Sequence, residues 1–265
     1  VAPQIHFITD AQLDDERLLY YRDLQDRRLA DQSGRFVAES ELVVRKLLQS
    51  PVKTESVLVT APRLATLEPL LSTLSAEFPV YVVPQAMMDQ VAGFHVHRGC
   101  LAIARRPERA IPDDARLVGV CVDLVDVDNV GAMARNAAAF GVDALVLSPK
   151  CADPFYRKAV RTSAGAVLTL PIVRASSWPS ELLDLRQRGF TLLGAALSPK
   201  AVPLTQFPRP PRTAVLFGSE GPGLDEHTMN FCDALVTIPM APSPAVDSLN
   251  VATAAAVVFF HLTQA

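Results

Sequence analysis

From Leu117 to the C-terminus, short apolar runs alternate with helical patterns, and this rhythm restricts the fold more than any other property of the chain. Strands are expected at 117–125, 143–148, near 167–173, 190–196, 213–218 and 234–240. Helices are expected at 129–140, closed by Gly141, and around Glu181 to Arg188. Another begins near Asp153, a candidate N-cap with Pro154 at the first helical position. The last is Asp247 to Leu262, the least charged long run in the protein. Alternation of this kind implies a mostly parallel sheet covered by helices on both faces.

The first hundred residues form a smaller α/β unit. Leu13 to Ala30 mixes both charge signs around a narrow apolar face and is expected as a solvated helix, broken at Gly34. In the next run, Phe36, Val37, Val43, Val44, Leu47 and Leu48 fall on one helical stripe, stopped by Pro51. Strands follow at 56–60, 80–83 and 99–104, separated by helices at 63–74 and 85–93. The polar, proline-bearing stretch 105–116 is the expected linker, dividing a domain of residues 1–104 from one of 117–265.

The chain has 265 residues, 49% of them hydrophobic and 20% charged, which is enough for two domains with their own cores. Its formal charge of −3 excludes a uniformly basic nucleic-acid-binding surface, so any such partner must meet a local patch. Cys100, Cys121, Cys151 and Cys232 lie far apart without a C-x-x-C pair, which points to buried, reduced thiols and to no metal site. The acidic N-terminal residues Asp10, Asp14, Asp15 and Glu16 argue against export, so a cytoplasmic location is expected. The longest apolar run, Ala254 to Phe260, is too short to span a membrane.

In open parallel sheets, ligands bind in the loops at the carboxyl ends of strands. Three such loops stand out. The first, Asp126 to Gly131, leads into a helix carrying Asn129 and Arg135, which lie roughly 240° apart around its axis. An arginine among alanines is directed either at a ligand or boundary, or at a structural acid. The second, Gly218 to Gly223, has a G-x-x-G-x-G pattern, which permits close backbone approach but also suits a tight turn. It is neither the dinucleotide fingerprint nor a P-loop. The third runs from Ile238 to Asn250 through Pro239, Pro242 and Pro244, and ends where Ser248 or Asn250 is a helix cap or a site residue. Charge adds a fourth clue. No acid stands between Asp184 and Glu220, while Arg186, Arg188, Lys200, Arg209 and Arg212 do, and Arg157, Lys158 and Arg161 share one helix. Such blocks suit phosphate contacts, or are scattered solvated cations.

Taken together, Asn129-Val-Gly-Ala with Arg135, Leu216-Phe-Gly-Ser-Glu-Gly-Pro-Gly-Leu, Ile238-Pro-Met and Ser248-Leu-Asn-Val resemble the ordered motifs of the SpoU (TrmH) family. This family comprises RNA ribose 2'-O-methyltransferases of the SPOUT class. The resemblance covers about Leu117 to the C-terminus. More weakly, Phe36-Val-Ala-Glu and His97-Arg-Gly-Cys-Leu-Ala resemble the family's ribosomal-protein-like substrate-binding domain.

The resemblance implies a C-terminal sheet tied in a trefoil knot, an exception to the usual absence of threaded chains. It further implies S-adenosylmethionine as cofactor and a homodimer with the active site near the subunit interface. The implied catalytic positions are Asn129, Arg135, Glu220, Ser248 and Asn250. Cofactor contacts are implied at Leu216, Gly218, Gly221, Ile238, Met240, Ser248 and Leu249, and RNA contacts at Arg157, Lys158, Arg161, His97 and Arg98. No metal is implied. The chain departs from the family pattern at Asp128, at Ser40 where glycine is common, and in a longer loop at 241–247. The expected activity is ribose methylation of RNA, with large-subunit rRNA ahead of tRNA; the alternative is a non-catalytic RNA- or ribosome-binding protein of the same fold.

Overall fold

The computed structural model describes residues 3–9, 12–22, 24, 33–241 and 247–264. The chain divides into two compact units, Val1–Glu108 with Phe155–Thr169, and Arg109–Pro154 with Leu170–Ala265. The division falls within the expected linker, and the segment 155–169 belongs with the first unit instead of the second.

The first unit is built on β1 (Gln4–Phe7), β2 (Arg35–Glu39), α1 (Glu41–Gln49), β3 (Thr54–Val59), α2 (Ala61–Leu71), β4 (Pro79–Val82), α3 (Gln85–Ala92) and β5 (Cys100–Arg105). Its sheet has the order β1-β4-β3-β5-β2, parallel from β1 to β3 and antiparallel beyond. Leu58, Tyr81, Leu101 and Ile103 of the sheet pack against Met87, Met88 and Val91 of α3. Two expectations fail here. The acidic-basic segment from Leu13 holds a short 3-10 turn, Glu16–Tyr21, in place of a long helix; its residues 25–30 lie outside the described range. Phe36 to Glu39 form an almost fully buried strand, because three consecutive apolar residues satisfy a strand as well as a helical stripe.

Ser40 connects that strand to α1 with φ 89° and ψ 148°. This backbone conformation is strained for any residue but glycine, which accounts for glycine in the family pattern. Serine offsets part of the strain by capping α1, its Oγ accepting from the Val43 N–H at 3.4 Å.

The second unit contains β6 (Leu117–Cys121), α4 (Val127–Ala139) and β7 (Ala144–Leu147). The chain then contributes α5 (Arg157–Thr162) to the first unit before returning. This helix is shorter than Asp153 and Pro154 suggest, and Tyr156 occupies its N-cap position without a side-chain bond. There follow β8 (Ile172–Arg174), α6 (Ser180–Gln187), β9 (Thr191–Ala195), β10 (Val202–Pro203), β11 (Thr213–Phe217), α7 (Glu226–Asn230), β12 (Ala234–Thr237) and α8 (Val251–Gln264). The strand expected near 167–173 is reduced to β8, preceded by a 3-10 turn at Ala166–Leu168.

All seven strands are parallel, in the order β10-β12-β9-β11-β6-β7-β8. Val118, Val120, Leu192, Ala214 and Leu216 form one core with Leu182 and Leu185 of α6. The other face receives α8, whose Ala252, Ala255, Val258, Phe259 and Leu262 are buried at helical spacing. Gly119 makes this close approach possible, since a Cβ there would stand 2.6 Å from Leu145 Cδ2 and 2.9 Å from Phe259 Cζ. No described helix is long and apolar enough to cross a membrane.

Replacing Ser40 by glycine removes the backbone strain at the cost of a long cap bond and a freer unfolded chain. Ser40→Gly is expected to raise stability by about 1 kcal/mol, measured by denaturant titration; a loss of stability would refute the strain account.

Candidate active site

A cavity of about 530 Å³ opens at the carboxyl ends of β9, β11 and β12. Its walls are Ala195 to Leu197 after β9, the loop Gly218 to Leu224 after β11, Ile238 and Met240 after β12, and Ser248 to Val251 leading into α8. The loop after β11 folds back on itself, with the Gly223 N–H donating to the Ser219 carbonyl at 3.0 Å. At Gly218 a Cβ would lie 2.1 to 2.4 Å from backbone atoms of Gly223 and Leu224, so only glycine allows the loop to close. Gly221 and Gly223 supply the left-handed φ values, 81° and 68°, that reverse the chain. Just past the loop, Asp225 caps α7; hydrogen bonds from the Thr228 hydroxyl and N–H hold its carboxyl below the usual carboxylate range.

At one edge of the cavity, three side chains distant in sequence meet. Asp126 caps α4 by accepting from the N–H groups of Asp128 (2.7 Å) and Asn129 (3.1 Å), which fixes Asn129 in the first helical turn. The buried Asn129 donates from Nδ2 to Glu220 Oε1 in a short hydrogen bond. Asn250 Nδ2 donates to Asn129 Oδ1 at 2.9 Å and approaches Glu220 Oε1 at 3.3 Å. The other end of the same amide, Asn250 Oδ1, accepts from the N–H groups of Ala252 (2.9 Å) and Thr253 (3.2 Å). Asn250 thus caps α8 and at the same time lines the cavity.

The remaining expected positions divide. Ser248, Leu249, Ile238, Met240, Gly218 and Gly221 line the cavity; the Ser248 hydroxyl donates to Asp247 Oδ1 at 2.9 Å. Leu216 does not line it, being wholly buried in β11 with its side chain in the core. Arg135 is exposed on α4 and is not among the lining residues, consistent with its angular distance from Asn129. Residues 242–246 of the long loop lie outside the described range.

The five residues expected to touch RNA all belong to the first unit. His97, Arg98 and Lys158 are exposed, His97 lying edge-on to His95 with ring centroids 4.5 Å apart. Arg157 stacks on Phe94 at 3.7 Å and lies 3.5 Å from Glu39, a buried carboxylate that Arg161 approaches at 3.9 Å. The other basic block is largely structural. Arg186 pairs with Asp233 at 2.7 Å, Arg188 donates to the carbonyls of Ile111 and Pro112, and Arg212 donates to those of Ala115 and Asp113. Lys200 stays exposed.

Sequence reasoning passed over Asn136. Its Nδ2 donates to the Ala252 carbonyl at 2.7 Å, tying α4 to the first turn of α8. The available signal was its spacing of seven residues from Asn129, which puts the two amides on one stripe of the helix. The four cysteines are free, three of them buried and Cys232 half-buried. Among the described residues no cluster of His, Cys, Asp and Glu could hold a metal ion.

Comparison with known proteins places this geometry. The model of the SpoU rRNA Methylase family matches residues 116–260. Over 265 aligned residues the chain is 42% identical to an uncharacterized tRNA/rRNA methyltransferase of Mycobacterium bovis, covering 95% of this chain and 90% of the relative. It is 29% identical to the Bacillus subtilis 23S rRNA (guanosine(2553)-2'-O)-methyltransferase RlmP, with 91% and 94% covered. The S-adenosylmethionine-bound rRNA methyltransferase of Sinorhizobium meliloti has the same fold, with a TM-score of 0.82, 22% identity and 98% of both chains covered. The motif-bearing loops that meet at this cavity are therefore those of a known enzyme class, and the chain belongs to the SpoU rRNA methylase family of S-adenosylmethionine-dependent RNA methyltransferases.

Proposed function

We propose that the protein methylates a ribose 2'-hydroxyl in RNA, with large-subunit ribosomal RNA as its substrate class. The observation that carries this reading is the charge of the cavity. Its lining contains one carboxylate, Glu220, and no lysine, arginine or histidine among the described residues. Such a site suits a ligand with a positive sulfur, and the glycine spacing of a dinucleotide enzyme is absent from the chain. The volume is in the range of about 300–1,000 Å³ usual for small-molecule sites. The missing side chain at Gly218 lets the loop after β11 close into the wall of the cavity. Gly218, Gly221, Ile238, Met240, Ser248 and Leu249 would hold S-adenosylmethionine, which supplies a methyl carbon activated by the adjacent sulfonium.

The chain's own residues then have to present a hydroxyl in line with that carbon and hold it there. Asn129, Glu220 and Asn250 form a connected set of donors and acceptors at the cavity edge, suited to gripping the polar edge of a ribose. Arg135 orients the attacking oxygen and stabilises the alkoxide as its proton leaves. A guanidinium keeps its proton inside proteins, so it is an electrostatic partner and not a base.

The assembly is read as a homodimer with α4 and α8 at the boundary. Val257 and Phe260 are exposed there at 38% and 53%, and Phe140 meets Phe260 edge-on at 6.0 Å. Arg135, absent from its own chain's cavity wall, would act at that boundary. The knot implied by the family is supported by the path of the chain. After β12, beyond β9 and β11, the chain returns so that Phe259 of α8 lies against β6. The mixed sheet of the first unit fits the substrate-binding module, with His97, Arg98, Lys158 and Arg161 as RNA contacts and Arg157 in support.

Two results test the reading. Incubation with labelled S-adenosylmethionine and deproteinised rRNA is expected to yield 2'-O-methylated nucleosides, and Arg135→Ala to lower that transfer about 100-fold while leaving cofactor affinity unchanged; unchanged transfer by the variant would sink the role of Arg135. Gly218→Ala is expected to weaken cofactor binding at least about tenfold by calorimetry, because the added methyl needs space held by backbone. Wild-type affinity in that variant would move the cofactor elsewhere.

A further inference from the structure

The geometry points to Asn136 as a positioning residue for methyl transfer, an inference that rests on the functional reading above. Asn136 follows Asn129 by seven residues on α4, a rotation of roughly 700°, about 20° short of two turns. Both amides therefore face α8, and both bind its start. Asn129 Oδ1 accepts from Asn250 at 2.9 Å, and Asn136 Nδ2 donates to the Ala252 carbonyl at 2.7 Å.

The Ala252 residue closes a ring. Its N–H donates to Asn250 Oδ1, whose amide nitrogen faces Asn129 and Glu220, while its carbonyl accepts from Asn136. The path runs from α4 through Asn129 and Asn250 to Ala252, and back to α4 through Asn136. Every link is directional. The apolar contacts that otherwise seat α8 are not, since burial of area fixes neither rotation nor small axial shifts. Asn250 can hold Asn129 and Glu220 in one arrangement only if the first turn of α8 is fixed in rotation and height. Asn136 supplies that second point of attachment, about 10 Å along α4 from the first.

A packing role alone would not call for an amide. Apart from Arg135, the positions flanking it on α4 are alanines, Ala134, Ala137, Ala138 and Ala139, and alanine at 136 would let the helices meet as closely. Asn136 does not line the cavity, so it acts through Asn250 and is not itself a catalytic residue.

The test is steady-state kinetics on the full-length protein with rRNA substrate, using Asn136→Asp and Asn136→Ala. The aspartate keeps the shape but removes the donor and sets an oxygen against the Ala252 carbonyl; the alanine covers the case in which that variant does not fold. Each is expected to lower kcat about tenfold, the worth of one directional hydrogen bond, with KM for S-adenosylmethionine and for RNA unchanged within about twofold. Combined with Asn250→Ala, Asn136→Ala is expected to add no further loss, since both act on one path. A wild-type kcat in the alanine variant overturns the inference. So does a double variant whose losses multiply, because that is what an independent, merely structural role predicts. If the unmodified protein transfers no methyl to RNA, the functional reading falls and this inference with it; an active parent with unaffected variants removes the inference alone.

Discussion

The seating of Phe259 on β6 is the constraint on which the rest of the catalytic unit depends. Only a glycine at 119 leaves room for the ring, which also meets Phe217 edge-on at 5.3 Å. Burial of a phenylalanine side chain contributes about 1.5–3 kcal/mol, so this contact alone gives α8 a strong preference for one place on the sheet. From that place the start of α8 falls at the mouth of the cavity, and Asn250 comes within reach of Asn129 and Glu220. The polar cluster inherits its location from an apolar contact about two and a half turns further along the helix.

Polar groups then refine what burial has placed. Asp126 fixes the start of α4, Asn250 fixes the start of α8, and the glycine loop after β11 delivers Glu220 between them. Each anchoring side chain serves its own element and the site together. Deleting one would both fray a helix end and leave a partner unsatisfied, and the second loss costs more than the bond itself contributed. Away from the cavity, Arg188 and Arg212 hold the entry segment 111–115 by its carbonyls, which firmly joins the first residues of the second unit to its core.

What was legible in the sequence and what was not follow from the range of the interactions involved. The parallel sheet could be read because βα alternation is local and repeats. The three loops could be read because glycine, proline and amide residues stand where strands end. Phe36 to Glu39 was misread because a run of buried apolar residues does not distinguish strand from helix. The start of α5 was misread because Asp153-Pro154 has cap chemistry without becoming a cap. The basic block from Arg186 to Arg212 was visible as composition. Its pairing with Asp233 and with the backbone of 111–115, 76 to 99 residues away, was not. Asn136 escaped notice for the same reason, since its partner is a backbone carbonyl 116 residues distant. Such an acceptor carries no side-chain signature at all.

The distribution of charge that results bears on how an acidic protein handles a polyanion. A cavity with a carboxylate and no base repels phosphates, so the nucleic acid has to be held elsewhere while only one sugar approaches. On the proposed reading, that task falls to Arg98, Lys158 and Arg161, which are exposed. Arg186, Arg188 and Arg212 are committed to acids and carbonyls, and Arg157 to Phe94 and Glu39. Lys200 is exposed, as is Arg135 on α4. Selection of the target must then come from the shape of the RNA around the ribose and from the fixed geometry of the amide cluster that receives it.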